Sequence, residues 1–125
     1  MSEIYYTGPL PVPWNISVKQ GSTFATALYY KDDNGVAIDL TGYTAQMQVR
    51  EENTNVVILD LTTTSGITIT AAEGKIDIAI TAAQSAIFEV QNAKYDLLIK
   101  SSSGTVTYLL EGDFVVTPRV TRMTI

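Results

Sequence analysis

Between residues 44 and 50 the chain alternates strictly, with Ala45, Met47 and Val49 on one side and Thr44, Gln46, Gln48 and Arg50 on the other. A period of two marks a β-strand with one buried and one wetted face. The same rhythm recurs along the chain. Trp14, Ile16 and Val18 alternate with polar residues, Phe24, Leu28 and Tyr30 share one face of residues 22–31, and Ile76, Ile78 and Ile80 alternate along 75–80. Turn signals separate these runs at Gln20-Gly21, Asn34-Gly35, Thr41-Gly42, residues 53–55, Gly66, Glu73-Gly74 and residues 102–104. Asn34-Gly35 suits a two-residue hairpin turn, because both residues tolerate positive φ. It would join the strand at 22–31 to a short apolar run, 36–40, that leads into the alternating strand.

Further strands are read at 56–61, at Ile67 and Ile69, and at residues 95–99, 105–110 and 113–117. Gly112 marks a predicted bulge or bend between the last two. One stretch breaks the rhythm. Thr81 followed by Gln84 has capping-box spacing, and alanine is the best helix former, so residues 81–88 predict one helical turn crossing between two sheets. About seven to nine short strands, nearly all with one apolar face, predict an all-β, antiparallel sandwich or small barrel with one short helical crossover. Tyr95 favours an immunoglobulin-like sandwich, since such domains carry a tyrosine at this point whose hydroxyl bonds back to the chain. An ordinary half-buried core tyrosine is the alternative reading.

Composition narrows the chemistry. A chain of 125 residues, 46% of them hydrophobic, fits one domain with its own core. No apolar run approaches the roughly 20 residues of a membrane span, which points to a soluble protein with no membrane partner. The N-terminus shows no signal peptide, having Glu3 where a basic region would stand and prolines in place of a continuous apolar segment. There is neither cysteine nor histidine. Thiolate nucleophiles, serine-histidine triads and the common zinc or iron sites are therefore excluded. The net charge of −5 is spread along the chain, and the one local basic excess is Arg119 with Arg122. Nucleic acid is not expected as a partner, because phosphate binding needs clustered Lys and Arg.

Other motifs carry little. Asp32-Asp33-Asn34-Gly35 opens like a calcium loop, but its twelfth position is Tyr43 where a carboxylate is needed, so a solvated turn is read. Asn15-Ile16-Ser17 matches a glycosylation acceptor by chance spacing. Asp39, Asp60, Asp77, Asp96 and Asp113 are scattered along separate strands and suggest no carboxylate pair. No catalytic residue, metal ligand or cofactor is expected. Tyr29, Tyr30, Tyr43, Tyr108 and Trp14 could furnish a sugar-stacking platform, although most of them are read as core or rim.

Residues 1–13 contain Pro9, Pro11 and Pro13 and read as an extended arm anchored by Tyr5, Tyr6 and Leu10, lying on a neighbour or packed on its own chain. Residues 14–118 form the sandwich, and 119–125 a tail. The series Gln20-Gly21, Lys31-Asp32-Asp33-Asn34-Gly35, Ile38-Asp39-Leu40-Thr41-Gly42-Tyr43, Val49-Arg50, Gly74-Lys75-Ile76, Tyr95-Asp96-Leu97 and the close from Gly112 to Val116 resembles small tailed-phage virion structural proteins. It is similar in particular to the immunoglobulin-like module at the N-terminus of phage baseplate upper proteins. That resemblance implies a non-enzymatic assembly or attachment module of the tail, baseplate or neck, made in the host cytoplasm and ending in the virion. Its implied partners are other virion proteins and copies of itself. Contacts are expected from the arm and tail, through Tyr5, Tyr6, Leu10, Trp14, Arg119 and Arg122, since an extended arm can add to an exposed sheet edge. A host-surface glycan-binding module and a capsid decoration protein are the alternatives.

Overall fold

The structure is a computed structural model that describes residues 3–89 and 91–122. The strands, in chain order, are β1 (Glu3–Tyr6), β2 (Val12–Pro13), β3 (Ile16–Lys19), β4 (Phe24–Tyr30), β5 (Thr44–Glu51), β6 (Val57–Thr62), β7 (Ile67–Thr70), β8 (Lys75–Ile80), β9 (Gln91–Lys100) and β10 (Val106–Thr117). A short helix, α1 (Ala82–Ala86), sits between β8 and β9. Sheet one has the order β1-β4-β8-β7, and sheet two the order β2-β10-β9-β5-β6, with β3 following β2 along the same edge of β10. The two sheets face each other as a sandwich. Leu28, Ile76, Ile78 and Ile80 of sheet one and Met47, Val49, Leu97, Ile99, Leu110 and Phe114 of sheet two fill the space between them.

The alternating runs go where their period sends them. In β5, Ala45, Met47 and Val49 are buried while Gln46, Gln48 and Arg50 stay half-exposed. The helical crossover also forms as read. The Thr81 side chain accepts from the Gln84 N–H at 3.1 Å, and the Gln84 side chain accepts from the Thr81 N–H at 2.8 Å. Buried Ser85 donates its hydroxyl to the Ser22 carbonyl at 2.6 Å, tying the crossover to the start of β4.

Four readings need correction. First, the sheets are not wholly antiparallel: β1 pairs parallel with β4, and β2 and β3 pair parallel with β10. The chain enters along sheet one, crosses the end of the sandwich at residues 7–11, and returns along the edge of sheet two. Second, of the two placements open to residues 1–13, the described part packs on its own chain, and as a strand of sheet one instead of an arm outside the sandwich. Ile4 and Tyr6 are buried in register with Leu28 and Tyr30; they precede the prolines, so their N–H groups remain available to the ladder. Third, Asn34-Gly35 makes no two-residue hairpin turn. The Asp32 carboxylate accepts from the N–H groups of Asn34 and Val36, at 2.9 and 3.0 Å, and closes a wider loop in which Gly35 alone takes the positive φ, of 80°. Beyond that loop the chain runs back beside β4, where Ala37 bridges Lys31 and the Ile38 N–H donates to the Tyr30 carbonyl at 2.9 Å. Fourth, Gly112 marks no bulge between two strands: β10 is continuous and its register runs unbroken through Gly112. The irregularity of the strand lies at Leu109, where the register against β9 shifts between Tyr108 and Leu110.

Gly112 has another use. It sits opposite Tyr95 in the ladder, and a Cβ there would lie 2.5 Å from the Trp14 carbonyl oxygen and 2.8 Å from the Asn15 side-chain oxygen. The bare glycine lets the Trp14-Asn15 step press against β10. Trp14 donates its N–H to the Glu111 carbonyl at 2.9 Å, Asn15 accepts from the Asp113 N–H at 3.0 Å, and the buried Tyr95 hydroxyl donates to the Trp14 carbonyl. Tyr95 thus bonds to a segment 81 residues away, across the edge of the sheet.

Gly112→Ala is expected to lower unfolding stability by about 1–3 kcal/mol, the range for overfilling a packed site, and Tyr95→Phe by about 1–2 kcal/mol through the unpaired carbonyl. Urea midpoints of the single and double variants would check both. Because both changes act on the Trp14 carbonyl, the double variant should lose less than the sum of the two.

Candidate functional site

The wetted face of sheet two carries a connected set of polar side chains. Strand register sets it out in rows: Thr62, Gln46, Leu98 and Tyr108 in one, Asp60, Gln48, Asp96 and Glu111 in the next, and Arg50, Lys94 and Asp113 in a third. Its side chains hold one another. Gln46 and Gln48 donate their amide N–H groups to the two carboxylate oxygens of Asp60, at 2.9 and 3.4 Å. Arg50 donates to the Gln48 side-chain oxygen at 2.8 Å and to the Asn55 carbonyl at 3.0 Å. Lys94 donates to Asp113 and lies 3.7 Å from Glu52. Gln46, Gln48, Arg50, Asp96, Leu98 and Tyr108 line a groove of about 270 Å3.

Two features of this groove do not follow from alternation. The bulge at Leu109 lets Tyr108 face outward: Leu110 faces the core, and in an unbroken ladder of the same residues Tyr108, two positions earlier, would share its face. Asp96, by contrast, accepts no hydrogen bond from a described residue. Partial burial, reinforced by the nearby Glu111 carboxylate and opposed by Arg50, pushes its carboxyl above the ordinary range.

Apolar side chains are exposed at the two ends of the sandwich. At the α1 end, Ile87 is 83% and Val56 58% exposed, beside a groove of about 410 Å3 lined also by Ile58, Phe88, Glu51 and Glu89. Val120, beyond the end of β10, is 92% exposed. At the opposite end, where the chain crosses between sheets, Leu10 is 76% exposed.

The six contact residues read from the sequence do not come together. Tyr6 is buried, its hydroxyl donating to the Pro9 carbonyl at 3.1 Å and its ring edge-on to Tyr30, so it offers no partner a surface. Tyr5 is exposed on the outside of sheet one, stacked on Tyr29 at 5.7 Å with the Lys31 ammonium 5.0 Å from its ring centre. Leu10 is exposed, and Trp14 is half-buried against Phe24. Arg119 is half-buried over Gly21, its Nε without a hydrogen-bond partner among the described residues, and Arg122 is exposed. The five aromatics considered for a sugar platform are dispersed as well: Tyr29 lies on sheet one and Tyr108 on sheet two, while Tyr30, Tyr43 and Trp14 pack against the core. The glutamine, arginine and aspartate rows carried no sequence signal of their own, because register decides which polar positions of different strands meet. Among the described residues no group of three or more carboxylates is placed to hold a metal ion, and no helix is long and apolar enough to cross a membrane.

No protein-family model matches the chain, and no curated protein matches it. Solved structures do. The N-terminal domain of phage TP901-1 ORF48 superposes with a TM-score of 0.52 at 11% identity, over 94% of this chain and 99% of that one. A chicken TCR superposes with a TM-score of 0.54 at 12% identity, over 96% of this chain and 58% of the receptor chain. The fold is an immunoglobulin-like β-sandwich. The sheet orders agree, since β1-β4-β8-β7 matches the four-strand sheet of that architecture and β10-β9-β5 its three-strand sheet, with β6 as a further strand beside β5. The Tyr95 hydroxyl does bond to a backbone carbonyl, but its partner is Trp14 in the first part of the chain, where the tyrosine of such domains bonds a few residues upstream.

The raised Asp96 carboxyl gives a signed prediction. It holds its proton more tightly in the folded chain than in the unfolded one, so the fold loses stability as pH rises through the carboxylate range, and the loss is complete once the folded group is ionised. Asp96→Asn should therefore melt at or above the parent's temperature at neutral pH, the gap closing as pH falls through that range. A variant less stable than the parent at neutral pH would contradict this.

Proposed function

We propose that the chain is a non-enzymatic structural protein of a bacteriophage virion, an assembly or attachment module of the tail, baseplate or neck. The observation that carries this reading is the superposition on a phage domain end to end, 94% of this chain on 99% of that one. The series of turns and strands from Gln20 to Val116 that resembles phage baseplate modules supports it. So does the placement of exposed apolar residues at opposite ends of the sandwich, with Leu10 at one and Val56, Ile87 and Val120 at the other. A module joined to neighbours in series needs adhesive ends and tolerates polar flanks. Its partners are other virion proteins and further copies of the chain.

Deleting residues 1–13 is not a clean probe of these contacts, since it removes β1 with buried Ile4 and Tyr6. Point changes at exposed positions are better. Antibody against the purified chain should label the tail, baseplate or neck of particles made by the phage that encodes it, and uniform labelling of the shell would instead favour a capsid decoration protein. Ile87→Asp and Leu10→Asp should each fold normally by circular dichroism yet be incorporated into particles at a small fraction of the parent level. Undiminished incorporation of both would overturn the end-on reading.

A further inference from the structure

We propose that the groove on the outer face of sheet two is a binding site for a neutral pyranose, presented as the end or a branch of a hydroxyl-rich glycan. A pyranose offers a rim of hydroxyls that both donate and accept, and a ring face of C–H groups that packs on aromatic or aliphatic surface. The groove presents both partners side by side. Leu98 and the outward-turned Tyr108 are cross-strand neighbours and form an apolar strip, and Gln46, Gln48, Arg50 and Asp96 form a polar one.

The polar strip is set before any ligand arrives. The Asp60 carboxylate takes an N–H from each glutamine, and Arg50 takes up the Gln48 oxygen, which fixes the planes of both amides. Groups already held in place lose little side-chain freedom when they bind. Capacity is left over: the Gln46 side-chain oxygen and the Asp96 carboxylate accept from no described residue, and Arg50 uses two bonds where a guanidinium has five N–H donors. An acceptor pair and a donor at adjacent ladder positions match vicinal hydroxyls.

Charge and size choose among ligands. Asp60, Asp96 and Glu111 outnumber Arg50, while Lys94 is taken up by Asp113 and Glu52, so an anionic sugar is disfavoured. A flat protein partner would bury these carboxylates without counter-charges, whereas the cores of protein interfaces are depleted of such residues. The volume of about 270 Å3 lies just under the range for drug-sized ligands, which suits one sugar ring with its neighbours in solvent. The bulge at Leu109 is the second, independent observation. It breaks an otherwise regular ladder, and its consequence is to place an aromatic ring on the wet face beside this groove. The site stands apart from the exposed ends and does not depend on the virion role.

The test is a titration of the isotopically labelled full chain, followed by amide chemical shifts, with glucose, galactose, N-acetylglucosamine and rhamnose at millimolar concentrations and glucuronate as the charged control. At least one neutral sugar should give saturable shifts centred on residues 46–50, 96–98 and 106–110. Tyr108→Ala should weaken that binding roughly tenfold, and Tyr108→Trp should preserve or tighten it; both changes sit on the surface, and circular dichroism checks that the sandwich is intact. The proposal is overturned if none of the four sugars shifts this face, if glucuronate alone does, if the shifts centre elsewhere, or if Tyr108→Ala binds like the parent. It is equally overturned if a virion protein covers this face while no sugar does.

Discussion

Along the edge of sheet two, at the break between β2 and β3, a single carbonyl oxygen organises the backbone. Trp14 presents it, the Tyr95 hydroxyl donates to it from inside the sandwich, and the missing side chain of Gly112 makes room for it. A break between two short edge strands leaves a backbone group that the ladder does not pair, and a buried one left unpaired costs of order 1–3 kcal/mol. Here the phenol reaches over its ladder partner to meet that need. On either side of the break β2 and β3 keep to the same edge of β10, and Ile16 and Val18 enter the core that Ile4 and Tyr6 reach from β1.

How much of this could be read in advance depended on whether the information was local. The strand at 44–50 carries its own period, and its inward and outward residues were legible one by one. The Thr81 and Gln84 capping box is a contact over three residues, and it forms as spaced. Asn34-Gly35 misled because Asp32, two positions earlier, offered its carboxylate to two backbone N–H groups and settled a wider loop. Gly112 misled for a different reason. Glycine at a strand centre signals either a bulge or a close approach, and what approaches is Trp14, almost a hundred residues away in the chain.

The surface was less legible than the core. Burial follows from one strand's own alternation, but a groove is made by residues on different strands brought side by side. Gln46, Gln48 and Asp96 looked like ordinary solubilising positions until pairing set them next to Leu98 and Tyr108. The N-terminal tyrosines show the same limit. Tyr5 and Tyr6 are neighbours in sequence with opposite fates, one stacked on Tyr29 at the surface and the other sealed against Tyr30, because β1 is a strand and successive side chains leave it on opposite sides.

The extra residue at Leu109 has an implication for how such a sandwich changes over generations. Leu109 and Leu110 are consecutive and both buried, which strict alternation along a strand does not allow. Loss of Leu109 would leave Tyr108 directly before Leu110, still facing outward opposite Leu98, and would take one leucine from the interior. Chain length at this point therefore alters how the core is filled while the outer groove keeps its aromatic wall.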